Sequence, residues 1–384
     1  MTNRQRVIAA IQGQPVDRVP WIPLCSWSYF AGLREYQERF ILDGKERVKP
    51  ELQEEALAYR VAFHTERINA EFMQWCANSG IRKHYPKVRI SETDAENTLR
   101  RCYQTPQGEL TQTSVWSETA HTWFPVEDLI KNEGNLAAFE YLIEDEVAEP
   151  DFESLAQELA IVGENGVYFC STPAPPLKQL PFGFMRLEYT AALLAEQRPR
   201  MERLFARWHE KNLAIVQIQA KAPARIFMDA AVTGLGMVSP RWVREYYTPY
   251  SKAYQDILSQ AGKLYVYHAS GEPVLAIADS IAQEGAHLLY GLAWPPRGEA
   301  QFSHLRRALG PNIALSGGIE PAFLSGADEK AVRARTREVL EDMVGQPGLL
   351  LGTADDVSWD TPPELLAAVG EVARECADLP AVSR

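Results

Sequence analysis

The chain has 384 residues, 46% hydrophobic and 23% charged, with 39 basic against 51 acidic side chains for a formal charge of −12. That surplus of carboxylates repels phosphate and excludes a general nucleic-acid or anionic-membrane binder. No apolar run approaches the roughly 20 residues that span a bilayer, and the length allows a large core.

The five cysteines (Cys25, Cys76, Cys102, Cys170 and Cys376) are scattered and form no CxxC pair. That usage points to a reducing cytoplasm, away from a disulfide framework or a local thiolate zinc cluster. In chain order, residues 1–6 lead into a predicted amphipathic helix over 4–13, not into a signal-peptide core. Residues 18–24 read as a first buried strand, 51–67 as a helix and 68–75 as a second strand. Residues 86–125 differ: alternating runs separated by turns at 94–97 and 105–108 predict an antiparallel hairpin pair or meander inserted into a larger fold.

From 161 onward strand and helix alternate. Strand-like runs fall at 162–170, 225–230, 264–268, 287–292, 312–316 and 348–352, with amphipathic helices such as 199–221 and 328–344 between them. Apolar strands alternating with helices make a parallel sheet covered on its faces. With the two early strands the count reaches the eight of a (β/α)8 TIM-like barrel. The expected architecture is thus α/β: a single barrel domain over 1–384, with an N-terminal helical segment and a hairpin insertion at about 86–125. A doubly wound open sheet is the alternative, but no glycine-rich phosphate fingerprint follows the first strand.

In such a barrel the chemistry sits at the C-terminal ends of the strands. There the sequence puts Asp229, His268, Asp355 and Asp356, groups that together bind a metal ion or move protons. Trp21, Trp27, Tyr29, Trp294 and Trp359 are aromatics suited to a planar ligand. Each has a plainer reading: His268 as a hydrogen-bonded core histidine, Asp229 as a turn cap, the aspartate pair as a helix cap or solvated loop, and the aromatics as packing. Ser239 and Pro240 open a short helix that carries Glu245, which either folds over the mouth toward Asp229 and His268 or stays in solvent.

Several motifs follow one another along the chain. They begin with Arg6-Val7-Ile8-Ala9-Ala10-Ile11 and Pro15-Val16-Asp17-Arg18-Val19-Pro20, then Tyr103-Gln104-Thr105-Pro106-Gln107-Gly108. Glu127-Asp128-Leu129 and Tyr141-Leu142-Ile143-Glu144-Asp145 come next, then Ser239-Pro240 with Pro249-Tyr250. His268-Ala269-Ser270-Gly271, Gly317-Gly318-Ile319-Glu320-Pro321 and Asp360-Thr361-Pro362-Pro363-Glu364 complete the order. The set resembles the uroporphyrinogen decarboxylase superfamily, and within it the corrinoid-dependent methyltransferase branch that includes O-demethylases. The decarboxylase proper carries an arginine-rich segment after its first strand. Here Pro23-Leu24-Cys25-Ser26-Trp27-Ser28-Tyr29 suits a small, mostly apolar methyl donor better than a polyanion.

The resemblance implies a methyltransferase that demethylates a small O-methyl, methoxy-aromatic donor. It passes the methyl group to a corrinoid carried by a partner protein, with zinc as Lewis acid at the mouth. Thiol-methylating members hold zinc with a histidine and two cysteines. His268 matches the histidine, whereas the cysteine positions fall at Ser270 and near Thr353-Ala354, without a thiol. The order Asp229, Glu245, His268 resembles the carboxylate-rich arrangement of O-demethylase relatives, so these three are the implied metal ligands. Trp27, Tyr29 and Trp294 are expected around the substrate, and Asp355 or Asp356 as a further ligand or as proton donor. A cofactor-free decarboxylase or lyase, and a non-catalytic ligand-binding barrel, are the alternatives.

Overall fold

Eight parallel strands carry the fold: β1 (Trp21–Ile22), β2 (Phe72–Trp75), β3 (Gly166–Thr172), β4 (Ile226–Asp229), β5 (Leu264–His268), β6 (Leu288–Leu292), β7 (Ala314–Ile319) and β8 (Leu349–Thr353). The structure, a computed structural model, describes residues 1–376 apart from 43, 44, 46, 230, 232 and 233. Hydrogen-bonded neighbours follow the order β1-β8-β7-β6-β5-β4-β3-β2. Sequence order thus runs around a TIM-like (β/α)8 barrel, with its one seam between β1 and β2. There the Glu71 amide donates to the Trp21 carbonyl at 2.8 Å, the Glu71 carboxylate accepts the Trp21 amide at 2.8 Å, and Gln74 Nε2 donates to the Pro23 carbonyl at 2.7 Å.

Each of the eight sequence runs holds a strand, and β5 has the expected limits. The run over 162–170 starts too early because Val162 still belongs to the helix Phe152–Val162. Ala230, expected to end the fourth strand, lies outside the described residues.

Barrel strands are buried on both faces, and alternation sorts their side chains. Met73, Phe169, Met228, Val266 and Tyr290 fill the lumen, together with Val7, Ala10 and Ile11 from the helix Asn3–Ile11. That helix plugs the N-terminal end of the barrel and starts with a capping box between Thr2 and Gln5. Phe72, Tyr168, Phe227, Tyr265 and Leu289 instead pack outward against the helical layer. Each fully buried side chain of this size contributes about 1.5–3 kcal/mol. Arg6 and Arg18 clamp the plug to the seam: Arg6 reaches Asp17 at 2.6 Å and Glu71 at 2.8 Å, and Arg18 reaches Glu71 at 2.5 Å.

Between β2 and β3 the chain builds a four-stranded antiparallel sheet from Arg89–Ala95, Thr98–Thr105, Gly108–Ser117 and Thr122–Glu127. Leu110 and Trp116 are buried, whereas Val115 and Phe124 pair on the exposed face. Trp359 Nε1 donates to the Thr119 carbonyl at 2.7 Å, which ties one end of this sheet to the segment after β8. Among the described residues no helix is long and apolar enough to cross a membrane.

Candidate active site at the barrel mouth

Leu264 and Val266 point into the lumen, so alternation sends His268, the last residue of β5, inward at the C-terminal mouth. Its ring lies 5.9 Å from that of Tyr290 and 6.2 Å from that of Trp75, and Trp75 stands edge-on to Phe169 at 4.3 Å. His268 is only 9% exposed, and neither ring nitrogen has a hydrogen-bond partner among the described residues. Burial pushes its pKa down to about 4 against the opposing pull of Asp355. The imidazole is therefore neutral at pH 7, with one N–H and one lone pair to offer. An unmet buried polar group costs about 1–3 kcal/mol, and such a cost is tolerated most readily where a ligand meets it.

The turn after β5 stays bonded to β6 through Ala269 N–H to the Tyr290 carbonyl (2.8 Å) and Gly271 N–H to the Gly291 carbonyl (2.6 Å). Ser270 adopts a left-handed φ of 49°, uncommon for a residue with a Cβ. This brings its hydroxyl within 2.7 Å of Asp355 Oδ2, to which it donates. Asp355 Oδ1 also accepts the Asp356 amide at 2.8 Å. The neighbouring Asp356 is exposed at the rim. Desolvation by the neighbouring rim, and then the adjacent Asp355, push its pKa up to about 7, against a hydrogen bond from Ser26. Asp355 thus accepts two hydrogen bonds, and Asp356 beside it has its pKa raised toward neutrality, where a general acid works best.

The expected metal ligands do not come together. Asp229 follows Ile226 and Met228, both lumen residues, so it faces outward. There it is 1% exposed, salt-bridged to Lys178 at 2.7 Å and hydrogen-bonded by the Tyr265 hydroxyl at 3.0 Å. In the same buried layer Glu284 accepts from Thr248 at 3.2 Å, and burial pushes its carboxyl up to about 8. Glu245 lies on the helical turn Val243–Tyr247, paired with Arg198 and, at 3.5 Å, with Arg241. Both carboxylates are therefore paired with cations; Asp229 and Lys178 reach His268 only through their charge. Among the described residues no group of three or more His, Cys, Asp or Glu side chains is arranged to hold a metal ion. The set Asp229, Glu245 and His268 does not fit zinc.

Two of the expected substrate aromatics pack instead in the core. Tyr29 is fully buried, donates to the Thr361 carbonyl at 3.2 Å and stacks edge-on with Phe30 and Phe63. Trp294 is buried against Phe302 and donates its amide to Glu320. Trp27 remains half-buried, with the Arg60 guanidinium 4.2 Å over its ring. The aromatic lining of the lumen comes from Trp75, Phe169 and Tyr290, which the sequence reading did not single out. Their signal was present as alternate positions of recognised strands. A separate cavity of about 570 Å3 opens at the ends of β2 and β3, lined by Ala77, Asn78, Ser171, Thr172, Gln179 and Asn212 among others, and not by these aromatics. It gives room for a ligand of moderate size at the rim.

Strand order and the mouth geometry define a TIM-like barrel with its polar groups gathered at the C-terminal rim. Residues 183–376 match the family described as uroporphyrinogen decarboxylase (URO-D), and the chain belongs to that family. A uroporphyrinogen decarboxylase from Geobacter metallireducens is 24% identical over 148 residues, 38% of this chain and 40% of that protein. One from Streptomyces coelicolor is 31% identical over 156 residues, 41% of each. The chain thus spans about two fifths of the length of these curated relatives. In fold it is similar to a methyltransferase from Methanosarcina mazei, with a TM-score of 0.62 and 15% identity over 98% of this chain and 99% of that one.

Proposed function

We propose that this barrel is a methyltransferase that demethylates a small O-methyl donor, a methoxy-aromatic compound, and passes the methyl group to a reduced corrinoid on a partner protein in the cytoplasm. The carrying observation is geometric: His268 stands at the mouth with both ring nitrogens unpartnered among the described residues, beside the Asp355–Asp356 pair that Ser270 anchors. The corrinoid supplies the nucleophile that takes the methyl group. Trp75 and Phe169 hold the ring of the donor, and neutral His268 meets its oxygen. Asp356 gives its proton to that oxygen as the methyl group leaves, and Asp355 keeps its neighbour in place. The experiment is to incubate the protein with a reduced corrinoid protein and a panel of methoxy-aromatic donors, following the cobalt absorbance. No change with any donor overturns the reading.

A decarboxylase or lyase is the second reading, favoured by the family and by the activity named for the curated relatives. It predicts carbon dioxide release from a carboxylated substrate with no methyl acceptor present. Against it stands the segment after β1, where Leu24, Cys25, Trp27 and Tyr29 occupy the place of the arginines that a polyanion needs.

A further inference from the structure

Tyr290 and Ser316 lie on the same level of the barrel as His268. The β5–β6 register pairs His268 with Tyr290. Ser316 follows on β7, between Leu315, which pairs with Leu289, and Gly317, which pairs with Leu292. Tyr290 belongs to the lumen cluster, and Ser316 alternates with Ala314 of that cluster. Both are fully buried, and the Tyr290 hydroxyl, the Ser316 hydroxyl and both His268 nitrogens lack a hydrogen-bond partner among the described residues. Three neighbouring strands therefore present a row of unmet polar groups to one side of the lumen. On β8, a Cβ at Gly352 would come within 2.7 Å of Ser316 Oγ, so the glycine keeps that hydroxyl from being crowded. Phe169 lies 5.9 Å from the Tyr290 ring and supplies an apolar wall.

The row carries no charge. His268 is neutral, and burial, then Asp356 and Asp355, hold the Tyr290 phenol in its protonated form. Lys178, the nearby buried cation, is salt-bridged to Asp229. A site built to hydrogen-bond a substrate oxygen discriminates strongly against ligands that leave its groups unpaired. We propose that His268, Tyr290 and Ser316 form the recognition row for an uncharged planar substrate, a methoxyphenol whose free hydroxyl and ether oxygen meet the row, and that the aspartate pair above it turns carboxylated analogues away. The methoxy part of this assignment rests on the methyl-transfer reading; the uncharged, oxygen-bearing character rests on the row itself.

Calorimetric titration of the full chain at pH 8, with no methyl acceptor, separates the two. The probes are 2-methoxyphenol and 3-methoxybenzoate. The expected result is one 2-methoxyphenol per chain, with the benzoate at least tenfold weaker. Tyr290→Phe and Ser316→Ala each weaken 2-methoxyphenol at least tenfold, while the melting temperature stays the same or rises, because an unmet hydroxyl has been removed from an apolar setting. Asp355→Asn narrows the gap between the two probes. No binding of 2-methoxyphenol, equal binding of both probes, or variants that melt earlier with affinity intact would overturn the proposal, the last showing hydroxyls that serve the fold alone. Binding as described, without methyl transfer to any corrinoid acceptor, would leave the row standing and sink the methyltransferase reading.

Discussion

Ser270 Oγ donates a 2.7 Å hydrogen bond to Asp355 Oδ2 across 85 positions of sequence and so ties the end of β5 to the end of β8. These two ends are where the resemblance locates the cysteines of thiol-methylating relatives. The chain thus joins, by a hydroxyl and a carboxylate, positions that a metal would otherwise bridge. Ser270→Ala is expected to cost about 1 kcal/mol of stability, the loss of one partly buried hydrogen bond. It should also lower methyl transfer roughly tenfold by loosening Asp355, about 1.4 kcal/mol in barrier. Urea unfolding and steady-state rates test the two separately.

The Asp356 carboxyl should impose a basic limb on the rate. Its pKa is raised to about 7, so the acid is present below that pH and lost as pH rises through it. The turnover number is therefore expected to fall above pH 7. Asp356→Asn should remove that limb and reduce turnover by about 10²–10⁴-fold, the usual worth of a positioned general acid. A pH–rate profile of both proteins provides the check.

Asp229 and Glu245 should behave differently from each other and from metal ligands. Asp229→Ala removes the carboxylate from a buried ion pair with Lys178, for an expected loss of about 3–5 kcal/mol. Glu245→Ala removes ion pairs at the surface, for an expected loss of at most about 1 kcal/mol. Neither substitution is expected to change the metal content of the purified protein. Thermal melting with elemental analysis tests this, and a stoichiometric zinc lost on either substitution would refute it.

Strong acid should loosen the N-terminal clamp. The hydrogen bond from Arg6 holds the Asp17 carboxyl well below the usual carboxylate range. A depressed carboxylate contributes stability that is present above its unfolded value, 3.8, and is lost as pH falls through the lower folded one. Asp17 is partly open to solvent, so the expected contribution is about 1 kcal/mol or less. Unfolding free energies measured from pH 5 to pH 2 should fall less steeply for Asp17→Asn than for the parent.

The strands were readable because a parallel barrel buries both faces of each one, leaving apolar runs such as Leu264–Val266 bounded by polar turns. That same property hid the site. With both faces apolar, nothing in the residues around Asp229 marks which alternate set enters the lumen, and an outward aspartate reads like an inward one. Tyr265, on β5, and Lys178, on the short helix Pro176–Gln179, hold Asp229 and share no local pattern with it. His268 was legible from its place at a strand end, whereas Tyr290 and Ser316 were submerged inside runs that looked like packing. Glu245 was misleading for another reason: helix period gives a face, but the partners of that face, Arg198 and Arg241, are set by tertiary packing.

The seam between β1 and β2 has a consequence for motion. Elsewhere a repeating backbone ladder holds the ring; at the seam, two side chains and a single backbone bond from Glu71 to Trp21 do the work. A ring joined in this way breathes where it is thinnest, so the amides of Trp21 and Glu71 should exchange with deuterium ahead of those in β6 and β7. Such parting would widen the barrel from its N-terminal segment, leaving the rung that carries His268 on the opposite, better-laced wall.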